Sequence, residues 1–285
     1  MSRIVYVNGQ YVPEEDAKIS VFDRGFLFAD GVYEVTSVLD GKLVDFDAHT
    51  VRLDRSLAEL GMSMPMTAEA LLEIHREIVA QNALDEGLVY LQITRGEADR
   101  DFVYPEAGTA QSVVLFSQAR AITENAVAER GMRVISVPDI RWGRRDIKTV
   151  QLLAPSMCKM MAKAEGKDDA WMVEDGTVTE GTSNTAYIVT HEGTIVTRHL
   201  SHEILAGITR DVVLKVAAEA QLKVEERPFT VDEVKGAAEA FITAASTYVC
   251  PVVEIDGAQI GDGMPGPVGT RLRELYIDAS RRTAI

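Results

Sequence analysis

The feature that most limits the fold of this chain is a change of hydrophobic period that recurs along its length. Residues 3–12 and 32–45 alternate apolar and polar positions and carry turn signals at Asn8-Gly9 and Asp40-Gly41. That is the period-two pattern of strands joined by tight turns. The period then lengthens. Asp47 reads as an N-cap and Gly61 as a C-terminal stop, so a helix is predicted between them. A second helix is predicted over about 67–82, with Leu71, Leu72, Ile74, Ile78 and Val79 on one apolar face. Strands LVYLQIT (88–94) and SVVLFSQ (112–118) follow, separated by the polar stretch 95-RGEADRDFVYPEAG-108.

A second succession begins after the weakly patterned 119-ARAITENA-126. MRVISV (132–137) is a strand, and Lys148 opens a short helical stretch whose first turn Pro155 makes irregular. A meander follows, with turns at Glu174-Asp175-Gly176 and His191-Glu192-Gly193. A helix is expected from Gly207-Ile208-Thr209, and Thr230-x-x-Glu233 is a capping box for another. FITAAS and VVEID are further strands, and a charged helix closes the chain. The expected fold class is α/β (α+β), with domains over 1–119 and 127–285 joined by a connector at 120–126.

A length of 285 residues accommodates two such domains, and 46 % hydrophobic with 26 % charged residues marks the chain as globular rather than disordered. Its 29 Lys+Arg against 44 Asp+Glu give a formal charge of −15, which argues against a nucleic-acid partner whose phosphates it would repel. An anionic ligand then needs a local basic pocket. Cys158 and Cys250 form no disulfide framework, and His49, His75, His191, His199 and His202 show no zinc spacing, so no metal is expected. The opening MSRIVYVNGQYV reads as a hairpin rather than a leader, and no apolar run approaches the roughly 18 residues of a membrane span. The expectation is a cytoplasmic protein with no membrane partner.

Four places carry candidate chemistry. In 144-RRDIKTVQLL-153, Lys148 follows two arginines. It is either one more solvated lysine or an amine whose ammonium form Arg144 and Arg145 disfavour, as a Schiff-base nucleophile requires. The helix start 207-GITR-210 is either an ordinary capped end or a phosphate cradle of free N–H groups, a glycine and a hydroxyl. Arg52 in 49-HTVR-52 is either a surface charge or a second anion contact. Glu180 ends a strand and runs into 181-GTSN-184, so its carboxylate either meets solvent or pairs with a cation in a cleft. A lysine amine, an isolated carboxylate and an anion cradle together suit pyridoxal phosphate, which offers an aldehyde, a pyridine nitrogen and a phosphate.

At these residues the chain resembles the class IV (fold-type IV) pyridoxal-phosphate aminotransferases, nearest the D-amino acid branch. The resemblance covers nearly the whole length through 22-FDRGFLFADGVYEV-35, 49-HTVRL-53, 94-TRG-96, 146-DIKTVQLL-153, 179-TEGTSN-184, 204-ILAGITR-210 and 241-FITAAST-247. It implies two α/β domains with the cofactor, pyridoxal 5'-phosphate, in the cleft between them. It further implies that Lys148 forms the internal aldimine and shuttles the substrate α-proton, and that Glu180 pairs with the pyridine nitrogen. Arg52, Ile208 and Thr209 would hold the phosphate, with Ala245 and Ser246 in a second phosphate-binding loop. Arg141 would buttress the cofactor face, and Tyr33, Val35, Ala244, Arg100 and Phe102 would line the substrate side. The partners implied are a small-molecule amino donor, a 2-oxo acid acceptor and a second copy of the chain in a homodimer.

This sequence departs from that pattern in places. The D-amino acid branch has an Arg-x-His pair that holds the substrate carboxylate, whereas this loop reads Arg100-Asp101-Phe102. The incomplete trap leaves room for (R)-amines. Thr185 stands where the family often has Asn, and Ala206 and Ala244 are smaller than in many relatives. The expected activity is transfer of an amino group from a D-amino acid or (R)-amine to a 2-oxo acid such as pyruvate or 2-oxoglutarate, in ping-pong half-reactions. A branched-chain L-amino acid aminotransferase is the alternative, and an aminodeoxychorismate-type lyase a third reading.

Overall fold

The computed structural model describes residues 2–285. The chain divides into two compact units. One comprises the residues through Ala121 with Ile147–Gln151 and Ser280–Ile285; the other comprises Ile122–Asp146 and Leu152–Ala279.

The first unit contains β1 (Ile4–Val7), β2 (Gln10–Pro13), α1 (Arg24–Phe28), β3 (Gly31–Leu39), β4 (Lys42–Leu43), α2 (Phe46–Glu59), α3 (Ala68–Gln81), β5 (Gly87–Thr94) and β6 (Ser112–Ala119). Its strands form a six-stranded sheet in the order β2-β1-β6-β5-β3-β4, with antiparallel pairs throughout. Val32, Val89, Leu91, Leu53, Leu57, Leu71 and Ile78 share one core; burying each such side chain stabilises by about 1.5–3 kcal/mol. Alternation along β3 turns Glu34 and Thr36 inward and leaves Tyr33 and Val35 half-buried on the other face.

Two local expectations need correction. Helix α2 starts at Phe46, and its N-cap is Asp45 in the left-handed region (φ 55°) with no side-chain cap bond, rather than Asp47. Phe46 buries in the core, and Asp47 lies in the first turn, where its charge complements the helix dipole. Lys148 does not open a helix either. Tyr33 N–H donates to the Lys148 carbonyl, Val150 N–H donates to the Gly31 carbonyl, and Thr149 bridges Val32. These backbone groups are committed to the start of β3 and cannot join a helical ladder. This commitment also explains why Ile147–Gln151 counts with the first unit, and pairing of Leu43 with Ile285 does the same for the chain end.

The second unit contains α4 (Ala126–Arg130), β7 (Met132–Pro138), α5 (Leu153–Ala164), β8 (Asp169–Glu174), β9 (Thr177–Gly181), β10 (Thr185–Val189), β11 (Ile195–Thr197), α6 (Ile208–Glu219), β12 (Val224–Glu226), α7 (Val231–Lys235), β13 (Glu239–Ala244), β14 (Tyr248–Ile255), β15 (Ala258–Gln259) and most of α8 (Pro267–Thr283). The end of the expected connector is ordered: Asn125 accepts from Val127 and Ala128 N–H and starts α4. The sheet is nine-stranded, ordered β12-β11-β10-β13-β14-β7-β8-β9 with β15 paired to β14. The pairs β7–β8, β7–β14 and β11–β12 are parallel. Pro155 lies in the first turn of α5, where a missing N–H costs nothing. The Thr230/Glu233 capping box at α7 forms with both reciprocal bonds.

Candidate active site

In the first unit the Lys148 backbone is pinned to β3, and its amine stands 4.2 Å from the centroid of the Tyr33 ring. Among the described residues, the Lys148 amine has no carboxylate partner and donates no side-chain hydrogen bond. Tyr33 is held in turn by stacking on Tyr90 at 5.6 Å, and Tyr90 by stacking on Phe116 at 4.8 Å. Val35 lies opposite Tyr90 in the sheet register, on the same face as Tyr33. The chain thus presents an unpaired amine against an aromatic wall.

Arg52 is buried in α2, not a surface charge. Its Nε donates to Glu34 Oε1 at 2.8 Å and its Nη2 to Oε2 at 2.7 Å, while His49 Nδ1 lies 2.7 Å from Oε2. Burial works to raise the Glu34 carboxyl, but the Arg52 charge, its hydrogen bonds and His49 override it and hold the group well below the usual carboxylate range. Arg100 lies in the loop after β5, 5.5 Å from the Phe28 ring centroid and 5.8 Å from that of Phe102. Phe102 is 81 % exposed, with its ring 5.7 Å from Phe28.

In the second unit Glu180 is buried at the end of β9 rather than solvated. Arg141 Nη1 donates to Glu180 Oε1, and the Leu205 N–H approaches both carboxylate oxygens at 3.3 and 3.4 Å. Arg141 is shared with Asp139, which takes its Nε at 3.0 Å and Nη2 at 2.7 Å. Burial pushes the Glu180 carboxyl above its ordinary value, and Arg141 offsets that only in part. Arg144 and Arg145, expected to provide a cationic field, are each spent on acids: Arg144 on Asp146, and Arg145 on Glu174 and Asp139.

Two backbone sites in this unit suit an anion. Helix α6 begins at N-cap Gly207 with no side-chain cap bond, so Ile208 and buried Thr209 form an open first turn. A Cβ on Gly207 would lie 3.1 Å from Thr185 Oγ1 and 3.3 Å from Arg210 Cβ, so a side chain there would crowd the helix start. The turn through Ala245, Ser246 and Thr247 joins β13 to β14, with Ala244 paired to Tyr248 just before it. Tyr248 is buried at φ 58°, unusual for a bulky residue, and Arg273 braces the turn by donating to the Thr247 carbonyl at 2.6 Å and the Val249 carbonyl at 2.8 Å. Thr247 Oγ1 is buried with no hydrogen-bond partner among the described residues. A braced turn with an orphaned hydroxyl and an uncapped helix start fit a phosphate, and the unpaired amine and under-satisfied carboxylate fit an aldehyde and a ring nitrogen.

Several residues that shape these sites were not singled out from the sequence. Glu34 could have been found as a charge on the apolar face of a strand, and Asp139 as the acid two residues before Arg141; that Asp139 also takes Thr179 and Arg145 is visible only in three dimensions. Asp169, buried beneath the 181–184 turn, accepts from Thr182 Oγ1 at 2.5 Å and Asn184 Nδ2 at 2.7 Å. Two cavities of about 430 Å³ in the first unit, one beside Ile285 and one beside Gln111, are lined by none of the candidate residues.

Comparison with known proteins agrees with these features. The profile of the family described as amino-transferase class IV matches residues 31–255. The chain is 36 % identical over 272 residues to the D-alanine aminotransferase of Staphylococcus aureus (strain N315), covering 95 % of this chain and 96 % of that one. It is 38 % identical over 283 residues to the D-alanine aminotransferase of Bacillus licheniformis, covering 98 % and 99 %. Among solved structures it matches a T.th. branched-chain amino acid aminotransferase with pyridoxamine 5'-phosphate at TM-score 0.89 and 28 % identity, over 99 % of this chain and 95 % of that one. The chain therefore belongs to the class IV aminotransferases of fold type IV and is a pyridoxal-phosphate-dependent aminotransferase.

Proposed function

We propose that this aminotransferase is a cytoplasmic homodimer that moves the amino group of a D-amino acid, and of (R)-amines, to a 2-oxo acid such as pyruvate or 2-oxoglutarate. The observation that carries the donor assignment is the near-full-length likeness to D-alanine aminotransferases at 36–38 % identity, against 28 % for the branched-chain neighbour. Phe102 in place of a carboxylate-trapping histidine supports the amine side of the reading. The exposed apolar side chains Leu153, Met157, Met160 and Met161 along α5 support an association surface. The branched-chain reading keeps one argument, its place among the solved structures that match.

When bound, pyridoxal phosphate would supply an aldehyde for amines and a ring that draws electrons from the substrate α-carbon. Lys148 would hold it covalently, and the same Nζ, with no carboxylate to tie it, would take and return the α-proton. Tyr33 limits the directions that amine can take. Glu180 would keep the ring nitrogen protonated, with Arg141 orienting the carboxylate. The α6 start at Ile208 and Thr209, the Ala245–Ser246 turn and Arg52 would bind the phosphate. Tyr33, Val35, Ala244, Arg100 and Phe102 would line the substrate side.

The test is an assay of pyruvate formation from D- and L-alanine and of glutamate formation from L-leucine with 2-oxoglutarate. The proposal expects turnover with D-alanine; activity with the L-donors alone would replace it with the branched-chain reading.

A further inference from the structure

Two motifs, 22-FDRGFLFADG-31 and 94-TRG-96, hold no role in the chemistry above, yet their side chains interlock. Arg24 is 2 % exposed. Its Nε donates to Asp30 Oδ2 at 2.8 Å, and its Nη1 donates to the Asp101 carbonyl at 2.7 Å and the Val103 carbonyl at 3.4 Å. The same Asp30 oxygen accepts Arg95 Nε at 2.7 Å, and Arg95 Nη2 continues to the Leu60 carbonyl at 2.8 Å. Tyr104 lies over the Arg95 guanidinium at 3.6 Å, and Phe28 over that of Arg24 at 4.5 Å. The backbone adds bonds from Arg24 N–H to the Gly96 carbonyl at 2.9 Å and from Ala98 N–H to the Phe22 carbonyl at 3.2 Å.

A buried Arg–Asp–Arg triad is costly unless each charge is met, and its use is to fix a geometry. What it fixes here is the loop through Arg100, Asp101 and Phe102, whose own side chains are largely outside the core: Phe102 is 81 % and Val103 73 % exposed. Without the clamp those residues would have little burial to hold them. We propose that Arg24, through Asp30 and Arg95, is the positioning residue for this loop and so sets the affinity for the substrate carboxylate. The inference rests on the reading that Arg100 meets that carboxylate. A lysine cannot replace Arg24, because one ammonium cannot serve the Asp30 carboxylate and two carbonyls with a planar fork.

The experiment compares Arg24→Lys, Tyr104→Leu and Arg100→Ala in the cofactor-loaded enzyme, by hydrogen exchange at amides 99–104 and by KM and kcat for D-alanine at saturating 2-oxoglutarate, read as pyruvate formed. Arg24→Lys is expected to speed exchange in that segment about tenfold, as loss of local protection does. It is also expected to raise KM for D-alanine about tenfold with kcat within about twofold, the signature of lost uniform binding. Tyr104→Leu, on an exposed ring, should move both readouts the same way by less. Unchanged exchange in 99–104 overturns the clamp. Faster exchange with KM unmoved overturns the positioning role; Arg100→Ala then tells which link failed, since an unmoved KM there removes the loop from substrate binding altogether. If D-alanine is no donor for the unaltered enzyme, the donor reading fails separately, and the exchange rates alone decide the clamp.

Discussion

Each unit buries a glutamate against an arginine, and the two carboxylates end in opposite states. Glu34 receives two guanidinium N–H groups of Arg52 and a bond from His49, and its acid form is strongly disfavoured. Glu180 receives one corner of an Arg141 that Asp139 also claims, and two long contacts from one backbone N–H, and its carboxyl is raised. Burial is the same; the supply of positive charge differs. A fully met carboxylate is a structural pair, while one left short of donors inside the protein has room for a further cation. That contrast distinguishes a carboxylate suited to a pyridinium from one that merely holds its neighbours.

The largest expected effect leaves both pairs intact. Lys148→Ala should abolish transamination, since loss of acid–base assistance alone costs roughly 10²–10⁴-fold, and should remove the visible absorbance of the covalently held cofactor. Retained turnover with that absorbance intact would shift the assignment to Lys159 or Lys163. Next comes Glu34→Gln, which leaves the Arg52 charge buried without its counter-charge. Breaking one side of a buried pair costs about 3–5 kcal/mol, read as a fall in unfolding free energy of the protein. A loss under about 1 kcal/mol would erase the contrast between the two centres.

The smallest effect sharpens the picture of the first unit. His75 is buried beneath Phe46 with its Nδ1–H donating to the Leu71 carbonyl, and burial, with His49 adding repulsion, lowers it from 6.5 to about 4 despite that bond and Glu34. Below pH 6.5 the unfolded chain binds a proton that the folded ring refuses, so stability falls as the pH drops from 6.5 to about 4. The full loss is about 3 kcal/mol by linkage. His75→Leu should flatten this slope in a urea titration at successive pH values. The stability from the depressed Glu34 is complete above its ordinary 4.5 and is lost only as the pH falls below that value, so most of the His75 loss comes first.

Much of this was legible in the sequence because it is local. The Thr230 box, the helix over about 67–82, the turn pairs and the strands 88–94 and 112–118 depend on neighbouring residues and stand where the pattern puts them. Lys148 and Glu180 stood out as candidates through their motifs. The Lys148 helix failed because its backbone bonds go to β3, more than a hundred residues earlier in the chain, which no local window contains. The cationic field of Arg144 and Arg145 failed for a similar reason: Glu174 and Asp139 neutralise Arg145 only once the sheet is built. The parallel partners of β7 and the Arg24–Asp30–Arg95 triad were likewise invisible, since period identifies a strand but not its neighbour.

The most direct test of the contrast is Glu180→Gln, measured beside the unaltered enzyme for turnover, cofactor retention and the pH titration of the bound cofactor's visible absorbance. An amide cannot balance a pyridinium charge, so turnover should fall about 10²–10³-fold, as when one transition-state electrostatic partner is removed. Cofactor should remain bound and its absorbance titration should move. Unchanged turnover with an unmoved titration would make Glu180 a buried structural acid like Glu34 and contradict the account.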